Sequence, residues 1–190
     1  MTNIAPAIWT IGHSTRPLDA FLALLARYQV DAIADVRRFP ASRRHPHYAG
    51  PSLRSSLAAG GVDYRWLPLL GGRRRAAPDS RNTAWRNASF RGYADYVETT
   101  EFAEGLNELL ELSARARTAV MCAEAVWWRC HRALIADVLR VRGIEVVHIL
   151  DLEHATVHPF TAAARIVDGR LTYAPAEASN GVRRRRRTVC

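Results

Sequence analysis

Twice in this chain an apolar run, an amphipathic stretch and a second apolar run follow in order, and that succession leaves few folds open. In the first case Ala7-Ile8-Trp9-Thr10-Ile11-Gly12 reads as a short buried strand. Ser14 or Thr15 can cap the next helix and Pro17 suits its first turn. Phe21, Leu24, Leu25 and Tyr28 recur at helical spacing, which predicts an amphipathic helix over 17–28. Ala32-Ile33-Ala34-Asp35-Val36 is then a second strand. The other case is a strand at 117–122, a helix at 130–142 ended by Gly143, and a strand at 144–149. Strands joined through a helix pair in parallel by a right-handed crossover. The expected fold is α/β, a three-layer single domain over residues 1–174 with a mostly parallel central sheet of about five strands flanked by helices.

Between these units the pattern loosens. Residues 37–50 are dense in Arg, His and Pro and read as a loop. Leu53 to Ala59 is a short helix ending at Gly60-Gly61, and Val62 to Trp66 a third strand. A polar connection over 68–88 precedes two helices near 90–99 and 101–114. Asp151 to Pro159 reads as a loop, and 164–174 as a hairpin turning at Asp168-Gly169. The segment 175–190, polar with the run Arg183 to Arg187, is expected to be disordered.

Composition narrows the setting. No apolar run approaches the ~18–20 residues of a membrane span, and the N-terminus has no basic signal region. Three cysteines without framework spacing imply reduced thiols, so a cytoplasmic location is expected. All 27 basic residues are arginine. A GC-rich genome produces that bias, and Arg forks also suit phosphate and carboxylate recognition. The final segment, five arginines against Glu177, supplies +4 of the net +9.

The residues that carry chemistry collect at predicted strand ends, where ligands bind in α/β proteins. Met121-Cys122-Ala123-Glu124 closes one strand, and Cys130-His131-Arg132 opens the following helix. Cys122 is either a small core hydrophobe or a functional thiol. Glu124 beside an apolar strand needs a partner, for which Arg37 or Arg132 is available. A thiol at Cys130 would be activated by the helix N-terminus and nearby Arg; alternatively it packs inward while His131 and Arg132 solvate the helix. His13 follows the first strand, and Asp35 and Arg37 flank the end of the second. In a parallel sheet all of these lie along one edge.

Other signatures fit poorly. The phosphatase pattern needs Cys-x5-Arg, whereas Cys122 to Arg129 is Cys-x6-Arg. A zinc site from Cys122, Cys130, His131 and Glu124 is chemically conceivable, but no Cys-x2-Cys pair or His spacing supports it, so no metal is expected, and the cofactor is left unknown. Gly12-His13-Ser14 is not a dinucleotide-binding turn. The loop from Arg37 to Tyr48, with Arg43 and Arg44, interleaves cations and aromatics in a manner suited to phosphate backbones, and Arg73 to Arg75 extend it.

Taken together, Thr10-Ile11-Gly12-His13-Ser14, Asp35-Val36-Arg37 with Pro40 and Ser42-Arg43-Arg44, Leu70-Gly71-Gly72, Phe90-Arg91-Gly92-Tyr93-Ala94, Met121-Cys122-Ala123-Glu124 and Cys130-His131-Arg132 resemble an uncharacterised bacterial family, the domains of unknown function numbered 488 (DUF 488). The resemblance covers about residues 8–150. It implies an α/β domain with its motifs at strand ends and implies no particular activity.

The expectation from the residues is an enzyme acting on a phosphate-bearing substrate, nucleotide or nucleic acid. Arg37, Arg43, Arg44 and Arg132 hold the anion, with Asp35 among the binding residues. Glu124 is the general acid/base, assisted by His13 or His131, and Cys122 or Cys130 is the candidate nucleophile. The competing expectation is a non-catalytic nucleic-acid-binding module with structural cysteines.

Overall fold

A computed structural model describes residues 7–176. Of the segment 175–190 expected to be disordered, residues 177–190, with the whole arginine run, lie outside the described residues. In chain order the elements are β1 (Ile8–Gly12), α1 (Leu18–Arg27), β2 (Ala32–Asp35), α2 (Gly50–Ala59), β3 (Asp63–Trp66), α3 (Ala88–Val97) and α4 (Thr100–Ser113). They continue with β4 (Thr118–Cys122), α5 (Arg132–Val141), β5 (Val146–Ile149), β6 (Ala155–Val157), β7 (Arg165–Val167) and β8 (Arg170–Thr172). One six-stranded sheet has the order β3-β2-β4-β1-β5-β6. Its first five strands run parallel, and β6 adds antiparallel to β5.

Alternation along the strands divides the core. Ile11, Ile33, Ala119 and Met121 pack with Phe21, Leu24 and Leu25 of α1 and Leu53 and Leu57 of α2. Ala32, Ala34, Val120 and Cys122 face the other way, toward α3, α4 and α5. Burying each large side chain contributes roughly 1.5–3 kcal/mol against about 1 kcal/mol for a cap. Helix α1 therefore docks without any side-chain cap, with Pro17 at its N-cap position. Neither Ser14 nor Thr15 caps it as expected; Ser14 instead adopts a left-handed backbone with φ 48°.

Two expectations need correction. The sheet has a sixth strand where 151–159 read as loop, because three half-exposed residues at an edge carry no burial pattern to recognise. Helix α5 begins at Arg132, so Cys130 sits before it in extended backbone (φ −129°, ψ 147°) instead of opening the helix, and its sulfur meets the Arg132 side chain rather than the amides of the first turn. The hairpin β7–β8 turns at Asp168-Gly169, both at positive φ, as a tight turn of that handedness requires. None of the described helices is long and apolar enough to cross a membrane.

The sheet order creates the site. Helix α1 leaves β1 on one face, α5 follows β4 on the other, and β1 and β4 are neighbours. At such a switch point the two connections diverge and open a crevice beyond the strand ends.

Candidate active site

A cavity of about 700 Å³ occupies that crevice, lined by the residues that follow β1, β2 and β4 and by Gly72, Arg73, Phe90 and Tyr93 from the 70–93 stretch. The chain is stitched together beneath it. After Gly12 pairs with Cys122, the His13 amide donates to the Cys122 carbonyl and the Ser14 amide to that of Ala123. A Cβ on Gly12 would lie 1.8 Å from the Glu124 carbonyl oxygen, so only glycine allows the two loops to approach this closely.

Cys122, Cys130 and His131 form the floor, with the two sulfurs and one imidazole nitrogen all within 4.8 Å of one another. The Nε2–H of His131 donates to the Val36 carbonyl at 3.1 Å, which leaves Nδ1 facing Cys130 Sγ at 3.7 Å. Gly72 packs against the same ring, where a Cβ would come within 2.8 Å of Nδ1. Burial alone would raise the Cys130 thiol, but a hydrogen bond from Cys122 with His131 and Arg132 alongside brings it well below the usual thiol range. Cys122 moves oppositely, pushed up by its hydrogen bond to Cys130 and by burial. The pair thus holds its negative charge on Cys130.

The burial of Arg132 points to the same assignment. It is 1% exposed, and among the described residues no carboxylate pairs with it. A buried guanidinium without an anion is costly. Its Nε donates to Cys130 Sγ at 3.4 Å, its Nη1 to Thr10 Oγ1 and its Nη2 to the Glu124 carbonyl at 2.6 Å. The sulfur is the anion within reach. Arg132 therefore lies under the cavity, fixing the loop that carries Glu124, and does not line it as an anion holder.

Behind Arg132 runs a chain of buried polar groups that the sequence reading missed. Thr10 Oγ1 meets His148 Nδ1 at 2.6 Å, His148 Nε2 meets His158 Nδ1 at 2.8 Å, and His158 Nε2 meets Asp137 at 3.0 Å. Tyr173 and Thr161 donate to the same carboxylate. With both imidazoles neutral, every donor finds an acceptor in one direction, from the cationic Arg132 to the anionic Asp137. A histidine within Val146-Val147-His148-Ile149 and an aspartate in the apolar face of α5 are the signals that reveal it: buried polar groups in apolar runs need partners.

At the end of β2, Asp35 and Arg37 form a buried, forked ion pair, with Arg37 Nε at 2.9 Å and Nη2 at 2.5 Å from its oxygens. Tyr64 donates to Asp35 at 2.7 Å, and Arg37 Nη1 donates to the Tyr48 carbonyl at 2.8 Å. Burial opposes the charge on Arg37, yet pairing with Asp35 outweighs it and raises the pKa. His13 stacks on Tyr48 with centroids 4.1 Å apart. It donates from Nδ1 to the Ser14 carbonyl and receives Arg37 Nη1 at Nε2, 3.3 Å away. Burial first, then Arg37, lowers its pKa to about 4.

The sequence-predicted residues thus separate into groups. Cys122, Glu124, Cys130, His131, His13 and Arg37 line one cavity. Asp35 is wholly buried behind Arg37, and Arg43 and Arg44 are exposed outside the lining. Glu124 is exposed rather than buried, and neither Arg37 nor Arg132 pairs with its carboxylate as expected. The solvent-facing cations of the cavity are Arg38, Arg73 and Arg129, accompanied by Phe39 and Phe90. Arg73 has φ 59°. Of the four non-glycine residues with left-handed backbone among the described residues, two, Ser14 and Arg73, line this cavity, and such strain gathers at working sites.

Acid should loosen the whole assembly. His148 is held neutral by burial, then by His158 and Arg132, with its pKa lowered to about 2. In the unfolded chain both His13 and His148 titrate near the ordinary value of 6.5. Below that pH the unfolded state binds protons that the folded state refuses. Stability is therefore full above pH 6.5 and falls as pH drops, by about 1 kcal/mol per pH unit for each histidine. Urea midpoints measured from pH 7.5 to 5 should show this slope, reduced in His148→Gln; a flat profile would contradict buried neutral imidazoles.

Fold and cavity define an α/β protein with an open cavity at a sheet switch point. The chain belongs to the family described as "Domain of unknown function DUF488", whose profile matches residues 17–139. That span takes in every site residue from Asp35 to Arg132, while His13 precedes it. No curated protein and no solved structure matches the chain.

Proposed function

We propose that this protein is an enzyme acting on a phosphate-bearing substrate, a nucleotide or nucleic acid, bound in the switch-point cavity. One observation carries the reading: a single cavity has exposed arginines at its mouth and a polarised pair of thiols with an imidazole at its floor. Arg38, Arg73 and Arg129 take the phosphate, since guanidinium forks match its oxygens and all three are exposed; Arg38 gives up only a solvent-exposed hydrogen bond to the Arg73 carbonyl to do so. Phe39, 63% exposed, and Phe90 offer flat faces on which a base can stack. Glu124, solvent-facing beside the floor, acts as general acid/base.

His13 and Arg37 keep the mouth in shape. Both nitrogens of His13 are engaged, so it holds the loop after β1 and moves no proton in this state. Arg37 is spent on Asp35 and Tyr48. The reaction centre is the floor.

Turnover should be sought on p-nitrophenyl phosphate, bis-p-nitrophenyl phosphate, nucleoside mono-, di- and triphosphates, and single-stranded DNA and RNA. At least one should react, and Glu124→Gln should lower kcat by about 10²–10⁴ while leaving the affinity within a few-fold. Native-like turnover by that variant removes the carboxylate from the reaction. Binding without turnover by the native protein would leave a nucleic-acid-binding module in place of the enzyme.

A further inference from the structure

The floor has a feature that an organic acid/base site does not need. Two sulfurs and an imidazole nitrogen from β4 and from the turn before α5 converge on one small volume at the bottom of an open cavity. We propose that Cys122 Sγ, Cys130 Sγ and His131 Nδ1 bind a zinc ion, with the fourth coordination position turned into the cavity. The inference rests on the functional reading above for the identity of the cavity, and adds the cofactor to it.

Four observations point the same way. The donor set is two thiolates and an imidazole, the soft and borderline ligands that select zinc over magnesium or calcium. The spacing fits: tetrahedral zinc, with Zn–S near 2.3 Å and Zn–N near 2.0 Å, sets its ligand atoms about 3.5–3.8 Å apart. Cys130 Sγ and His131 Nδ1 are 3.7 Å apart, and all three donors lie within 4.8 Å. The imidazole is prepared, because donation from Nε2–H to the Val36 carbonyl fixes the tautomer whose Nδ1 lone pair is available. The outer contacts are those of a metal thiolate, since Arg132 Nε donates to Cys130 Sγ from below.

The two cysteines are also too enclosed for the plainest alternative. Cys130 is 3% and Cys122 8% exposed, and the sulfurs face each other and the imidazole. That arrangement suits ligands closing on an ion better than a thiol presented to substrate. Sequence spacing gives this set of residues no support because the ligands come from a strand end and a turn eight residues later, with two of them adjacent in the chain. Zinc-finger spacing describes a different geometry.

The balance is simple. Zinc(II) binds the Cys130 thiolate and displaces the proton of Cys122, which leaves to solvent, forming two Zn–S bonds and one Zn–N bond without any change of oxidation state. Two thiolates neutralise the ion, and the position facing the cavity takes water. Zinc-bound water ionises near neutral pH, next to a wall that contains Glu124.

The test uses the full chain, purified without chelators or added metal, then stripped and reloaded with zinc or cobalt(II). Native protein should carry one zinc per chain by elemental analysis. Cobalt(II) should give a sulfur-to-metal charge-transfer band and the intense visible bands of a tetrahedral site. Cys122→Ser and Cys130→Ser should weaken zinc binding at least about 100-fold. Cys190→Ser, the third cysteine, should leave it unchanged, as should Glu124→Gln. Because a ligand variant can misfold, the cobalt spectrum of native protein stands as a separate criterion. A native protein that takes up no zinc, or whose cobalt spectrum lacks the sulfur band, overturns the proposal. Turnover by a native protein that takes up no zinc would overturn the metal while sparing the enzyme reading, with Cys130 then acting as a thiolate. Stoichiometric zinc with no turnover of any phosphate substrate would uphold the metal and remove the enzyme.

Discussion

Replacing Arg37 with alanine should destabilise the protein by about 3–5 kcal/mol, as expected when one member of a buried ion pair is removed. Asp35 would be left wholly buried with Tyr64 as its main remaining side-chain donor. For a chain of this size the loss corresponds to a melting temperature lower by roughly 10 °C. Arg37→Lys should recover little, because a point charge cannot reproduce the fork that meets both Asp35 oxygens and the Tyr48 carbonyl. The double replacement Asp35→Val with Arg37→Met should cost less than Arg37→Ala alone, since no unpaired charge remains. Thermal melts of these variants decide the matter. An Arg37→Ala protein melting within a degree or two of the native one would mean that the pair does not hold the end of β2.

Gly12→Ala should have the largest effect on function for the smallest change in chemistry. The added methyl would meet the Glu124 carbonyl oxygen at 1.8 Å, its carbon at 2.7 Å and Ala125 Cα at 2.9 Å. All three atoms belong to backbone, so no side chain can swing aside. The loop cannot easily retreat either, because Arg132 Nη2 holds the same carbonyl. Overpacking of this kind costs about 1–3 kcal/mol or more. The loop must shift by about 1 Å, and misplacement of a reacting group by that distance can cost about 10²-fold in rate. A folded protein destabilised by no more than that overpacking cost, with turnover on the best phosphate substrate reduced about 100-fold or more, would place the damage at Glu124. Unchanged turnover would show that the position of this loop is irrelevant to the reaction.

How much of this was readable beforehand depended on whether the signal was local. The strands and helices of both β-α-β units were legible because Phe21, Leu24 and Leu25, or Ala119 to Cys122, announce their periodicity within a few residues. Residues clustered at strand ends were legible too, since a parallel sheet places those ends together whatever its strand order. The insertion of β4 between β1 and β2 was not, because nothing local records which strand lies beside which. Arg132 was misjudged for a similar reason. An arginine at a helix start normally faces water, and only its partners Thr10, Cys130 and Glu124, brought in from three segments, explain its burial. Arg43 and Arg44 drew attention by charge alone, while Arg38, Arg73 and Arg129 gained theirs from where the fold set them.

The most direct measurement of the central claim is where a phosphate-bearing ligand sits on the protein. A crystal structure with the best-bound nucleotide should place its phosphate against Arg38, Arg73 or Arg129 and the reacting end over Cys122, Cys130 and His131. A nucleotide bound elsewhere, with this cavity open in the same crystal, would contradict the account.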